Sequence, residues 1–142
     1  MTKIVPETVL TEAMTAELIA AAREAQGFAY APYSNFTVGA AVLLSDGTIY
    51  KGCNIENASF GLTVCAERVA IFNAVAAGRM DIAAIAVSTS AAKLCRPCGA
   101  CRQVLAEFSH TDNPIVVIST TESGLSVTET ILALLPDNFT LL

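Results

Sequence analysis

No run in the 142-residue chain approaches the roughly 18 uninterrupted apolar residues of a membrane helix, and its N-terminus carries no signal-peptide pattern. Neither a membrane partner nor export is expected, which leaves the cytoplasm as the expected setting. Basic residues are also scarce: eight Lys and Arg stand against thirteen Asp and Glu, for a net charge of −5. Nucleic-acid binding relies on Lys and Arg to displace counterions from phosphates, and here they are few and scattered. No polynucleotide partner is expected. The single histidine, His110, follows a predicted helix in Ser109-His110-Thr111-Asp112 and is read as a surface residue favoured by the helix C-terminus, not as a ligand. Internal repeats, low-complexity tracts and Pro/Ser-rich linkers are absent, so residues 1–142 are read as a single domain.

Apolar residues, by contrast, are plentiful. They make up 54% of the chain, above the roughly 45–50% of soluble domains. Without a membrane to enter, the excess surface is expected to lie between subunits. Five cysteines without a secretion pattern suit a reducing compartment, where clustered thiols more often hold metal than form disulfides.

Residues 11–28 carry an apolar stripe of Met14, Leu18, Ala21, Ala25 and Phe28, which predicts a helix. Thr37–Leu44 and Thr48–Ile55 predict two strands joined by the hairpin turn Ser45-Asp46-Gly47. A second helix is expected from about Cys65 to Gly78, a buried strand over Ile82–Ser88, and a third helix from about Cys98 to Phe108. Ile115–Thr120 is a further buried strand, and the strand–helix–strand order implies a parallel pair with a right-handed crossover. Thr128–Leu135 predicts a short last helix with Thr128 as N-cap and Pro136 just beyond it. Together these give an α/β fold, a mixed sheet with helices on both faces.

The chemistry gathers in Cys65-Ala66-Glu67 and Pro97-Cys98-Gly99-Ala100-Cys101, with 32 residues between Cys65 and Cys98. Two residues between cysteines let the chain curl back on one ion, although this spacing alone fits a structural or redox pair equally well. Cys65 as a third ligand leaves a fourth tetrahedral position open, as in catalytic rather than structural zinc sites. Both groups fall at predicted helix starts, where unpaired amides and the positive dipole end favour thiolates. Glu67 is close enough to the open position to take a proton from water there and pass it to a substrate nitrogen.

Pro-Cys-x-x-Cys after Cys-x-Glu resembles the signature of the zinc-dependent deaminases. A first ligand Cys65 in place of His resembles the small free-nucleoside type of the cytidine deaminase family. So do Tyr33-Ser34-Asn35-Phe36-Thr37-Val38-Gly39-Ala40-Ala41, Gly52-Cys53-Asn54-Ile55-Glu56-Asn57 and Cys98-Gly99-Ala100-Cys101-Arg102-Gln103. The likeness runs from about residue 30 to 105, with Leu134-Leu135-Pro136 near the end. It implies a three-layer α/β/α fold with a mixed sheet of about five strands. It also implies one Zn²⁺ per chain on Cys65, Cys98 and Cys101, with Glu67 as the catalytic proton carrier. The implied reaction is hydrolytic deamination of cytidine and 2′-deoxycytidine in pyrimidine salvage, by a homotetramer. Phe36 is then expected against the pyrimidine, Asn54 and Glu56 on the ribose 3′-hydroxyl, and the Ala66 backbone against the base. Arg68 and Gln103 match positions beside the thiolates, Phe139 a C-terminal aromatic that reaches a neighbouring subunit's site, and Phe60 an interface aromatic. Three thiolates and Zn²⁺ sum to −1, and a guanidinium at Arg68 would draw that charge back.

Other readings compete. Cys95, three residues before Cys98, could close a four-cysteine structural site, which would leave Glu67 without a task. The chain could act on a polynucleotide base or a nucleoside antibiotic, or bind zinc without catalysis. The acidity, the Asn54/Glu56 pair and Glu67 argue against these. Cys53 reads as a buried strand residue, and Phe36, Phe139 and Arg68 have ordinary core or surface alternatives.

Overall fold

The computed structural model describes residues 10–142. Helix α1 (Glu12–Gln26) starts where the Thr11 hydroxyl accepts the Met14 amide at 3.1 Å, an N-cap that satisfies one of the helix's free donors. Leu18, Ala22 and Ala25 form its buried stripe. Phe28, expected to end that stripe, is instead 76% exposed. The helix stops at Gly27, whose amide turns back to the Glu24 carbonyl, and the chain leaves for an isolated bridge between Tyr30 and Ile55. Gln26 takes the buried position, its amide bonded to Thr37, Ser88 and Glu122.

Five strands follow in the sheet order β2-β1-β3-β4-β5: β1 (Val38–Leu44), β2 (Ile49–Cys53), β3 (Ile82–Thr89), β4 (Val116–Thr121) and β5 (Ser126–Thr130). The β3–β4 pair is parallel and the other three are antiparallel. Asp46-Gly47 makes the β1–β2 turn, with Gly47 at φ 89°, a region open to glycine at little cost. Every residue of β1 is buried because the sheet is covered on both sides. Side chains alternate across a strand. Ala41, Leu43, Ala84 and Ala86 therefore pack with α1, while Ala40, Val42, Leu44, Ile85 and Val87 pack with α2 (Ala66–Ala76) and its neighbours on the opposite face. The parallel strands β3 and β4 are joined through α3 (Gly99–Glu107).

The predicted helix over Thr128–Leu135 is corrected. Ser126–Thr130 forms β5, and only Ile131–Leu134 is helical (α4), capped by the Thr130 hydroxyl rather than Thr128. The β-branched Val127, Thr128 and Thr130 pair in register with the otherwise open edge of β4, and that ladder outweighs the cap signal at Thr128.

Candidate metal centre and its cavity

Cys65 and Cys98 are the N-cap residues of α2 and α3, both with extended backbone, and Cys101 lies in the first turn of α3. Neither cap side chain accepts a capping hydrogen bond from its helix's first backbone amides, so both sulfurs are free to converge. The Sγ atoms of Cys65 and Cys98 are 3.9 Å apart, and all three sulfurs lie within 4.8 Å of one another. Tetrahedral Zn–S bonds of about 2.3 Å place sulfurs about 3.8 Å apart. The group therefore fits zinc, with three thiols and an open fourth side. Cys95 does not close it: its thiol turns to the Lys93 carbonyl at 3.6 Å and stands outside the group.

Charge around the sulfurs is set by their neighbours. Hydrogen bonds from the Cys101 thiol, and then from Arg68, bring the Cys65 pKa down to about 5. The same Cys65 bond, with burial added, pushes Cys101 well above the ordinary thiol range. Arg68 Nη2 lies 3.4 Å from the Cys65 sulfur, and its buried Nε has no hydrogen-bond partner among the described residues. A guanidinium so placed draws negative charge from a sulfur-rich site. Glu67, 5% exposed, sits one residue inside α2, where burial pushes its carboxyl upward. A carboxyl raised in this way exchanges a proton near neutral pH more readily than an exposed one.

Why α2 reaches the sheet closely enough to present these groups is read from Gly52. A Cβ there would stand 2.3 Å from the Ala70 nitrogen and 2.8 Å from the Ala66 carbonyl, so only glycine admits the helix. On the other side of the site, Arg102 braces the ligand loop, donating to the carbonyls of Pro97 at 2.7 Å and Leu134 at 2.8 Å.

The centre opens into a cavity of about 300 Å³, at the small end for a nucleoside-sized ligand. Phe36, Val38 and Val87 form an apolar wall; Cys65, Ala66, Glu67 and Cys98 form the chemical end; Ser34, Asn54 and Glu56 lie at the polar end. The Asn54 side chain accepts the Val38 amide at 2.9 Å and donates to the Phe36 carbonyl at 2.8 Å, which leaves one amide hydrogen. Glu56, 6% exposed, accepts the amides of Tyr33 and Ser34 on one oxygen and the Ser34 hydroxyl on the other. Of roughly four acceptor sites on a carboxylate, one remains. The Ser34 hydroxyl, followed by the backbone amides, holds the Glu56 pKa below the usual carboxylate value.

Phe36, Asn54, Glu56, Ala66, Glu67, Cys65 and Cys98 thus meet in one cavity, with Cys101 and Arg68 joined to it through the sulfurs. Phe139 is 67% exposed and is not part of this chain's cavity wall, and the Gln103 amide donates to the Phe139 carbonyl at 3.0 Å rather than to a sulfur. Ser34 and Arg102 are functional residues that sequence reasoning missed: their bonds are to partners 22 and 32 residues away, which spacing does not reveal. A larger depression of about 430 Å³ beside Arg23, Gln26 and Glu122 carries no comparable chemistry, because its Gln26 and Glu122 already bond each other.

Comparison with known proteins agrees with this geometry. Residues 12–118 match the model of the cytidine and deoxycytidylate deaminase zinc-binding region. A cytidine deaminase of Sporosarcina psychrophila is 47% identical over 123 residues, covering 87% of this chain and 89% of that protein. One of Halalkalibacterium halodurans is 53% identical over 98 residues, covering 69% and 74%. Among solved structures, a cytidine deaminase from Burkholderia pseudomallei superposes with a TM-score of 0.81 at 47% identity, covering 87% of this chain and 98% of that one.

Proposed function

The chain belongs to the cytidine and deoxycytidylate deaminase zinc-binding family, and on that premise we propose that its cavity hydrolyses cytidine and 2′-deoxycytidine to uridine and 2′-deoxyuridine with release of ammonia. The observation that carries this reading is the opening of the three-sulfur group and Glu67 into the same cavity as Phe36, Asn54 and Glu56. Cys65, Cys98 and Cys101 hold one zinc ion, which supplies Lewis acidity enough to make water a nucleophile at neutral pH.

The remaining work belongs to side chains of this chain. Phe36 packs against the pyrimidine, and the Ala66 backbone meets its edge. The free amide hydrogen of Asn54 and the remaining acceptor of Glu56 take the oxygen and the hydrogen of one ribose 3′-hydroxyl, a donor–acceptor match that a phosphate or ether at that position would break. This fixes C4 of the base at the sulfur end. Glu67 takes one proton from the attacking water and gives it to N3; after attack at C4 it takes the remaining proton of the new C4 hydroxyl and delivers it to the departing amine, so that the C4 carbonyl forms as ammonia leaves. Arg68 offsets the thiolate charge.

The chain, residues 1–142, acts as one domain and assembles as a homotetramer in the cytoplasm, serving pyrimidine salvage. Support for assembly comes from Phe60, 72% exposed at the rim of the cavity, and from other exposed apolar residues nearby, Tyr33 and Leu62. In the tetramer Phe139 reaches a neighbour's cavity, and Gln103 steadies the tail that carries it. No helix among the described residues is long and apolar enough to cross a membrane.

An ultraviolet assay with cytidine, 2′-deoxycytidine, free cytosine and a single-stranded oligonucleotide tests the substrate class. Both nucleosides should turn over at comparable rates, with cytosine and the oligonucleotide very poor. Efficient turnover of the oligonucleotide or of free cytosine would overturn the assignment.

A further inference from the structure

The loop between α1 and β1 holds one oxygen in contact with both the polar end of the cavity and its apolar wall. The Ser34 Oγ donates to Glu56 Oε2 at 2.6 Å and accepts the Phe36 amide at 3.0 Å. Phe36 lies on the apolar wall and Glu56 at the polar end, so this hydroxyl ties the wall to the polar end. The turn is built to aim it: Asn35 adopts φ 55°, and its amide closes back on the Ala31 carbonyl at 3.0 Å. That geometry also points the amides of Tyr33 and Ser34 at the other oxygen, Glu56 Oε1, at 3.0 and 3.2 Å.

We propose that Ser34 is a positioning residue for substrate selection: its hydroxyl fixes the rotation of the Glu56 carboxylate so that a single acceptor faces the sugar, in register with the base wall at Phe36. The inference rests on the reading of Glu56 as the anchor of the 3′-hydroxyl. Two amides on Oε1 pin one oxygen as a pivot, but the plane of the carboxylate is set only when Oε2 is also held. Removing the Ser34 hydroxyl frees Oε2 to turn and leaves the Phe36 amide without its partner. The damage should fall on sugar recognition and not on the proton transfers, which take place at the sulfur end.

A residue that merely braced the loop would affect every substrate alike, so the test compares substrates with and without the hydroxyl. Ser34→Ala and Ser34→Thr, checked for zinc content and circular dichroism, are assayed with 2′-deoxycytidine and 2′,3′-dideoxycytidine. Ser34→Ala should raise KM for 2′-deoxycytidine by roughly 10- to 100-fold, the range for a hydrogen bond to a charged group, with kcat nearly unchanged. For the dideoxy analogue, KM should stay at the wild-type value. Ser34→Thr keeps the hydroxyl at an exposed position and should restore 2′-deoxycytidine KM. In the Glu56→Ala background Ser34→Ala should add little, because both act through one contact. Equal effects on the two substrates, or loss confined to kcat, would overturn the proposal. If Glu56→Ala distinguishes the substrates and Ser34→Ala does not, only the Ser34 role falls. If Glu56→Ala fails to distinguish them, the sugar anchor and the Ser34 role fall together.

Discussion

Glu67 occupies the position on which the chemistry turns, and a conservative change isolates it. Glu67→Gln keeps the size and removes the titrating proton. It should retain one zinc per chain by metal analysis while kcat falls at least about 100-fold, since each general acid–base role is typically worth about 10²–10⁴-fold. Retention of a tenth of wild-type kcat would remove Glu67 from the mechanism. Arg68→Gln takes away the guanidinium beside Cys65. Activity or zinc affinity should then drop about 10- to 100-fold in a folded protein, and unchanged activity and zinc content would return Arg68 to an ordinary surface cation. Glu67 stood out in the sequence because it follows a cysteine at a predicted helix start, and Arg68 through the family resemblance alone; their roles remain for these variants to test. Asn54 and Glu56 were legible through a motif, but not their bonds to Val38, Phe36 and the Ser34 turn, which exist only once β1 and β2 have paired.

Elements bring the site together, and the tightest junction is where α2 crosses β2. Gly52→Ala places a methyl group 2.3 Å from the Ala70 nitrogen, a backbone atom that yields only if the whole helix moves. Overpacking of this kind typically costs about 1–3 kcal/mol. The melting temperature should fall and zinc should bind more weakly, because α2 carries Cys65 and Glu67. Gly99→Ala, whose new methyl would meet nothing within 4 Å, is the control and should melt like wild type. Away from the site, Arg79 joins the hairpin turn to the start of β3 through Asp46 and Asp81. The Arg79 hydrogen bond, outweighing some burial, holds Asp81 well below the usual carboxylate range. A carboxyl depressed on folding stabilises above its unfolded pKa of about 4 and loses that contribution as pH falls through its folded value. The melting-temperature gap between wild type and Asp81→Asn should therefore be widest near neutrality and narrow steadily below about pH 5. A gap that does not vary with pH would show that the ion pair is not linked to folding. At this scale the sequence pattern placed α1, β1, β2, α2, β3, α3 and β4 within a few residues. It missed β5 because a five-residue edge strand with Thr128 in its middle carries the same hydroxyl signal as a helix cap, and only the open edge of β4 decides between them.

Among the described residues several large apolar side chains remain exposed, Phe28, Phe60, Leu62 and Phe139 among them. Light scattering at micromolar concentration should give four times the 14.8 kDa chain mass. A monomer would separate Phe139 from any neighbour's site. The composition foretold surplus apolar area, but no single-chain pattern says which faces meet. One consequence follows from the two ligand-bearing caps. Cys65 and Cys98 are 33 positions apart, so an ion held between them fastens the start of one helix to the start of another, much as a covalent cross-link would. Closing a loop of this length restricts the unfolded chain by about 4 kcal/mol on the chain-entropy relation used for disulfides. Zinc in this family is therefore expected to act as a tether as well as a reagent. Chelation should lower the melting temperature of Glu67→Gln, a protein with no turnover to lose, and Cys98→Ser should melt at the lower temperature whether or not chelator is present.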